Sequence, residues 1–283
     1  MTTTTSAYLS IIQNLPRMQA MTAAEPAVKT ASAYYAANIG KVTSIDQFVG
    51  NYRLLSYALD AYGLGDQINS TALIKQVLEG GVANPDSLAN TLPQWKAFAT
   101  AFDFAANGAA SVSTATAIAS TNADYVEQQL ESDQGQQDVG VQLALYFNRV
   151  APTVTSTYGI LADQNLLQVV ETIFGLPTSF SAENIDTQAS ALSKLFNIED
   201  LQNPAKLQQL TERFTASYDS TYGPESGSSA SLTVAGSSSS SVSAATTILS
   251  GVISNTASSL TASTSPYFSD SLMESLQGFK IGG

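Results

Sequence analysis

Residues 34–64 read YYAANIGKVTSIDQFVGNYRLLSYALDAYGL, and residues 146–176 read YFNRVAPTVTSTYGILADQNLLQVVETIFGL. At an offset of 112 positions the two stretches align without a gap. They share Tyr34/Tyr146, Val42/Val154, Thr43/Thr155, Ser44/Ser156, Leu54/Leu166, Leu55/Leu167, Gly63/Gly175 and Leu64/Leu176. Other pairs exchange like for like, among them Tyr35/Phe147, Phe48/Ile160, Val49/Leu161, Asn51/Asp163 and Tyr62/Phe174. Self-similarity of this kind marks one supersecondary unit used twice. The expected fold is all-α: two tandem related helical bundles, from an internal duplication at an offset of about 112 residues, with a Ser/Thr-rich, weakly ordered C-terminal extension.

Helix signals extend outward from this stretch. Ser44 with Gln47 three positions on is a capping box. Ile45, Phe48, Val49, Tyr52, Leu55, Leu59 and Tyr62 then follow at helical spacing, and Gly63 stands where a left-handed stop belongs. The pattern predicts one helix from Ser44 to Gly63. Before it, Pro26 opens a helix running to about Ile39, with Gly40 as its left-handed stop. After it, a helix from about Thr71 to Glu79 stops at Gly80-Gly81, and Asn84-Pro85 opens a short helix to about Thr91. Pro93 opens another, carrying Trp95, Phe98, Phe102 and Phe104 before Asn107-Gly108. A Gln-rich helix over about 123–133 follows, bent at Gly135 and Gly140 on its way into the second copy. There Asn203-Pro204 matches Asn84-Pro85 at an offset of 119, implying seven inserted residues. No stretch alternates at period two.

The expected organisation is therefore an N-terminal arm at 1–24, with a frayed end, a short helix and a break at Pro16, and a first helical repeat at 25–108. A connecting helix spans 109–137 and a second repeat 138–222. A Ser/Gly/Thr-rich linker and C-terminal docking segment occupy 223–283, with Leu272, Met273 and Leu276 near the end.

Composition narrows the chemistry. Of 283 residues, 44% are hydrophobic, enough for a sizeable core, but only 12% are charged, about half the usual share. The surface must be mostly Ser, Thr, Asn and Gln. A net charge of −12 disfavours nucleic acid and anionic membrane surfaces. The chain has no cysteine, which excludes disulfides and thiolate chemistry, and no histidine, the usual base near neutral pH and the commonest zinc ligand. No window of about 18 apolar residues exists, so no membrane insertion is expected. The opening residues lack the basic and apolar parts of a Sec signal, so the expectation is a cytoplasmic chain or one exported without a cleaved signal.

Carboxylate pairs are the catalytic device this composition leaves available. Asp60, Glu79, Asp103, Glu127, Glu131, Asp133 and Glu171 share no spacing and read as solvated helix-surface charge. Glu127 and Glu131 are like charges at i, i+4, which points to a partner or to exposure. Arg53 is placed to pair with Asp46 or Asp60, or to stack on an aromatic ring. Trp95, Phe98, Phe102 and Phe104 are spaced as a helical core face. Gly63-Leu64-Gly65 and Gly80-Gly81 lack a phosphate-loop pattern. The pattern assigns no catalytic, metal, cofactor or binding residue, and the expectation is a non-enzyme with no cofactor.

Gly40-Lys-Val-Thr-Ser-Ile-Asp-Gln-Phe-Val, followed by Tyr52-Arg-Leu-Leu-Ser-Tyr-Ala-Leu-Asp-Ala-Tyr-Gly-Leu64, resembles an uncharacterised alphaproteobacterial domain-of-unknown-function family encoded within flagellar gene clusters. Gly140-Val-Gln-Leu-Ala-Leu-Tyr-Phe147, Ile160-Leu-Ala-Asp163 with Leu166-Leu167, and Asn203-Pro204 leading to Arg213-Phe214 resemble the same family. The resemblance covers roughly residues 7–222 and touches 276–283, while about 226–265 depart from the pattern. It implies a structural or assembly protein of the bacterial flagellum with flagellar or cell-surface proteins as partners, self-association being a further option, and it transfers no catalytic residue. The alternatives are an extracellular adhesin or surface-layer-like module, and a flagellar export chaperone or regulator.

Overall fold

Each of the two aligned stretches carries a Ser cap and, seven positions later, a second cap. This computed structural model describes residues 3–90, 93–177 and 179–222, and the linker and docking segment expected at 223–283 lie outside them. Among the described residues there are helices and no strand. They are α1 (Thr4–Gln13), α2 (Leu15–Ala24), α3 (Pro26–Asn38), α4 (Ile45–Gly50), α5 (Tyr52–Ala61), α6 (Thr71–Gly80), α7 (Pro93–Ala101), α8 (Phe104–Asn107) and α9 (Ala110–Ser113). There follow α10 (Ala115–Gly135), α11 (Val139–Val150), α12 (Thr157–Leu161), α13 (Gln164–Phe174), α14 (Ile185–Leu195) and α15 (Pro204–Tyr222).

The long helix expected from Ser44 to Gly63 is two helices. Ser44 caps α4 by accepting from the Gln47 amide, and Gln47 Oε1 reaches back to Thr43. Asn51 then leaves the helical region and caps α5 through the Leu54 amide. Asn and the preceding Gly50 are both poor helix formers, so the periodicity runs through a corner that local capping chemistry creates. Ser156 caps α12 and Asp163 caps α13 in the same manner. Both stretches close on a positive-φ glycine, Gly63 at +70° and Gly175 at +61°. The next amide then bonds back five residues, Leu64 N to Leu59 O and Leu176 N to Glu171 O, as a left-handed C-terminal cap requires.

Other expectations are corrected. Gly40 does not stop α3 in the left-handed region; it lies within a 3₁₀ turn, Ile39–Lys41. Asn84-Pro85 opens no helix: the Asn84 side chain accepts from the Asp86 amide within a turn, and a 3₁₀ turn follows at Leu88–Asn90. Its match to Asn203-Pro204, where α15 begins, therefore fails structurally. The connecting helix α10 starts at Thr114, which caps it, well before residue 123. It does not bend into α11 but breaks at 136–138, where Asp138 caps α11.

Residues 3–24 are not a frayed arm. α1 packs on α11 and α15, and α2 on α10 and α3. Pro16 sits in the first turn of α2, where its missing N–H costs nothing. Two apolar clusters form the interior. One gathers Tyr35, Phe48, Leu54, Leu59, Ile74 and the aromatics Trp95, Phe98, Phe102 and Phe104, which lie not on one helix but on α7, the break after it and α8, where Asp103 caps the new helix. The other gathers Tyr8, Ile11, Phe147, Val169, Leu192 and Phe214. Helix α10 packs against α3 and α5 of the first, as α15 packs against α11 and α13 of the second.

The α1–α11–α15 crossing is close. A Cβ on Gly140 would lie 2.5 Å from Tyr218 Cδ1 and 2.7 Å from Thr4 Cγ2. Gly140→Ala is expected to destabilise the protein by about 1–3 kcal/mol through overpacking, read by urea unfolding, with faster proteolysis near residue 14 as α1 lifts. An unchanged midpoint would show that this contact relaxes freely.

Candidate functional site

Helix α10 carries polar residues at 124, 127, 128 and 131, a helical stripe, and faces apolar helices on both sides. Toward α5 the contacts are aromatic and amide. The Tyr57 ring stacks on Tyr125 at 3.9 Å and on Tyr35 at 4.6 Å. Tyr57 Oη donates to Asn122 Oδ1 at 2.8 Å and lies 2.9 Å from Ser32 Oγ, while Tyr62 Oη donates to Asp124 Oδ2 at 2.9 Å. Burial holds the carboxyl of Asp124 above its ordinary pKa, against the opposing hydrogen bond from Tyr62. Burial also raises Asp60, on α5, to about 6, with Asp66 adding to the rise and a hydrogen bond from Ser56 opposing it.

Toward α11 one cation gathers the stripe. Arg149 Nε donates to Glu131 Oε1 at 2.6 Å and Nη2 to Glu131 Oε2 at 2.9 Å, a bidentate pair, and Nη2 also donates to Gln128 Oε1 at 2.5 Å. The Glu131 side chain is 3% exposed and that of Arg149 17%. Burial would lower Arg149, but Glu131 outweighs it and holds the guanidinium well above its usual range. Glu127 sits beside the pair, raised by burial and by Glu131. The guanidinium also lies 5.3 Å over the Tyr146 ring.

Tyr146 extends the network. Its hydroxyl donates to Asp163 Oδ2 at 2.5 Å, the same oxygen that accepts from Gln94 Nε2 at 2.5 Å. Asp163 Oδ1 meanwhile caps α13 through the amides of Asn165 and Leu166, both at 3.0 Å. One buried carboxylate thus ties α7, α11 and the start of α13 together. Its counterpart by sequence, Asn51, makes the cap alone. Burial and the Asp163 carboxylate push the Tyr146 phenol far up, so it stays a donor.

Glu131 and Glu127 are not solvated surface charge: Glu131 is buried on Arg149, and Asp60, Asp133 and Glu171 are partly covered. Glu79 is exposed, and Asp103 caps α8. Arg53 stacks on Tyr34 at 3.6 Å instead of pairing with Asp46, which binds Lys75. Trp95, Phe98, Phe102 and Phe104 are buried as core. Arg149 was missed, yet a signal existed. It is the single cation between Lys96 and Lys194, against ten acids in the same interval, so any acid buried there has one available partner. No group of three metal-ligating side chains occurs among the described residues. Glu131, Asp124 and Asp163 accept from Arg149, Tyr62, Tyr146, Gln94 and backbone amides, contacts that tie helices to one another.

The family described as "Protein of unknown function (DUF1217)" matches residues 61–207, just over half the sequence. The chain belongs to that family. The match opens at the last residue of α5 and closes inside α15, so every member of the Arg149 network lies within the DUF1217 region. The crystal structure of protein AGR_C_984 from Agrobacterium tumefaciens is similar, with 39% identity and a TM-score of 0.70, over 75% of this chain and 91% of that one. No curated protein matches. No helix among the described residues of this DUF1217 member is long and apolar enough to cross a membrane.

Removing one partner of a buried ion pair strands the other. Arg149→Ala should therefore cost about 3–5 kcal/mol in urea unfolding, and the double change Arg149→Met with Glu131→Leu should recover most of it. Full loss in the double variant would show that Gln128 and Tyr146 need the cation. Asp60 carries a separate signature. A carboxyl raised in the folded state binds its proton more tightly there, so its contribution is present below about pH 4, declines between pH 4 and 6, and is flat above. Asp60→Asn should remove that decline and add on the order of 1–2 kcal/mol at pH 7. An unaltered stability–pH profile would contradict the assignment.

Proposed function

We propose that this DUF1217 protein is a non-enzymatic structural or assembly component of the bacterial flagellar system, acting through protein–protein contacts with flagellar or cell-surface proteins. The observation that carries the contact reading is an open groove of about 640 Å³ between the end of α13 and α14. Leu176, Phe180, Ala191 and Leu195 give it an apolar lining, with Glu183 and Lys194 among its polar residues. Ile185 and Leu195 on α14 and Tyr158 on the adjoining α12 are left 52%, 42% and 49% exposed. An apolar concavity of this kind suits side chains of another protein. The flagellar setting rests on the resemblance of the 40–64 and 140–176 segments to a family encoded in flagellar gene clusters. The sparse charge and absent cysteine suit a subunit that is exported and then assembles.

The proposal includes an internal duplication as the origin of the fold. Its support is that the 3₁₀ turn, short helix and capped helix starting at 39, 45 and 52 recur at 151, 157 and 164. The location is tested by fractionation. The protein is expected in sheared flagellar or supernatant fractions, and its deletion is expected to impair swimming. Normal motility with strictly cytoplasmic protein would overturn the reading. Leu195→Glu, on an exposed site, should leave the fold intact and reduce that fractionation; unchanged recovery would remove the groove from the account.

A further inference from the structure

Helix α1 completes a core built otherwise mostly from residues more than 120 positions away, with Leu15 and Met18 at the start of α2 packing on its edge. Tyr8 and Ile11 are fully buried in the cluster built from 139–222, while α2, one residue further on, touches that cluster only through its first turn and runs along α10 and α3. The single connecting residue is Asn14. Every specific polar contact of α1 with the rest of the molecule spans more than 130 positions. Asp219 Oδ1 accepts from the Thr4 amide at 2.8 Å, and Oδ2 from the Thr5 amide and hydroxyl at 3.1 and 3.0 Å. Asp138 Oδ2 accepts from Thr4 Oγ1 at 2.9 Å, while its other oxygen caps α11. Further along, Asn148 Nδ2 donates to Tyr8 Oη at 2.8 Å. The α11–α15 cleft thus reads a helix by its first-turn amides and hydroxyls, the positive end of the helix dipole meeting two carboxylates. It asks of the occupant only an uncharged helix with Thr at the start and apolar residues four and seven positions on. α1 carries no charge at all, so moving it between molecules breaks no ion pair.

We propose that the α11–α15 cleft is a helix-accepting site whose partner in trans is α1 of a second copy of this chain, giving a reciprocally exchanged dimer. Exchange preserves every contact named above and changes only which molecule supplies the helix, the low-cost route to a closed two-fold assembly. Association then depends on concentration, because the tethered helix competes with the exchanged one. Asn14 absorbs the change in direction, since no other residue lies between the two helices. The proposal is independent of the flagellar reading.

The natural absence of cysteine makes the test specific. Two full-length single variants, Thr5→Cys and Asp219→Cys, are concentrated together, diluted and oxidised. A mixture of Thr5→Cys with the exposed Lys96→Cys serves as control. A mixed disulfide well above that control is expected, together with a dimer of the unmodified chain that grows with concentration in light scattering. Asp219→Cys weakens the site, so Thr4→Cys with Asp138→Cys gives a second, independent pair. A chain that stays monomeric at every concentration, with disulfides closing only inside doubly substituted molecules, would overturn the proposal. So would a dimer that cross-links through neither pair.

Discussion

The bidentate contact between Arg149 and Glu131 is the constraint on which the helical arrangement rests. A guanidinium taken almost wholly out of water is tolerable only if its charge and its donors are matched. Glu131 matches the charge, Gln128 takes a further donor, and the Tyr146 ring lies over its face. These partners fix the rotation and axial position of α10 relative to α11. Because α10 also stacks Tyr125 on Tyr57 and offers Asp124 to Tyr62, that registration passes to α5 and the first apolar cluster. Apolar packing supplies most of the driving force, but it is non-directional and would accept several rotations of α10. The polar stripe selects one.

Asp163 does similar work on a second line. A carboxylate that both caps α13 and receives Tyr146 and Gln94 makes the start of one helix conditional on two others. Its sequence counterpart Asn51 performs the local task alone. If the two stretches share an origin, the added long-range role is what distinguishes them. The acidic balance of the chain then has a structural side. Burying acids near a single cation makes the interior intolerant of losing that cation, and Asp60 and Asp124, raised by burial, accept from the hydroxyls of Ser56 and Tyr62.

Local chemistry was legible in the sequence, and distant partnership was not. Ser44, Gly63 and Gly175 act within a few residues of themselves, so their caps and stops could be read directly, and the burial of Trp95, Phe98, Phe102 and Phe104 followed from spacing although the break at 102–103 did not. The corner at Asn51 was hidden because apolar periodicity continues across it. Asn84 was misread because an Asx turn and a helix cap begin with the same residue types. The docking of α1 depends on Asp219, some 215 positions away, and nothing local in residues 4–13 announces it. Glu131 looked like surface charge because its partner lies on another helix, although the shortage of cations between Lys96 and Lys194 carried that information.

Native-state hydrogen exchange on the unaltered protein tests most directly whether the polar seam joins the two apolar clusters into one cooperative body. The slowest amides of α5 and of α13 are expected to open with a common free energy and a common denaturant dependence, because neither cluster can part while the Arg149 network holds α10 between them. Two separate opening free energies, with α5 exchanging while α13 remains protected, would contradict the account.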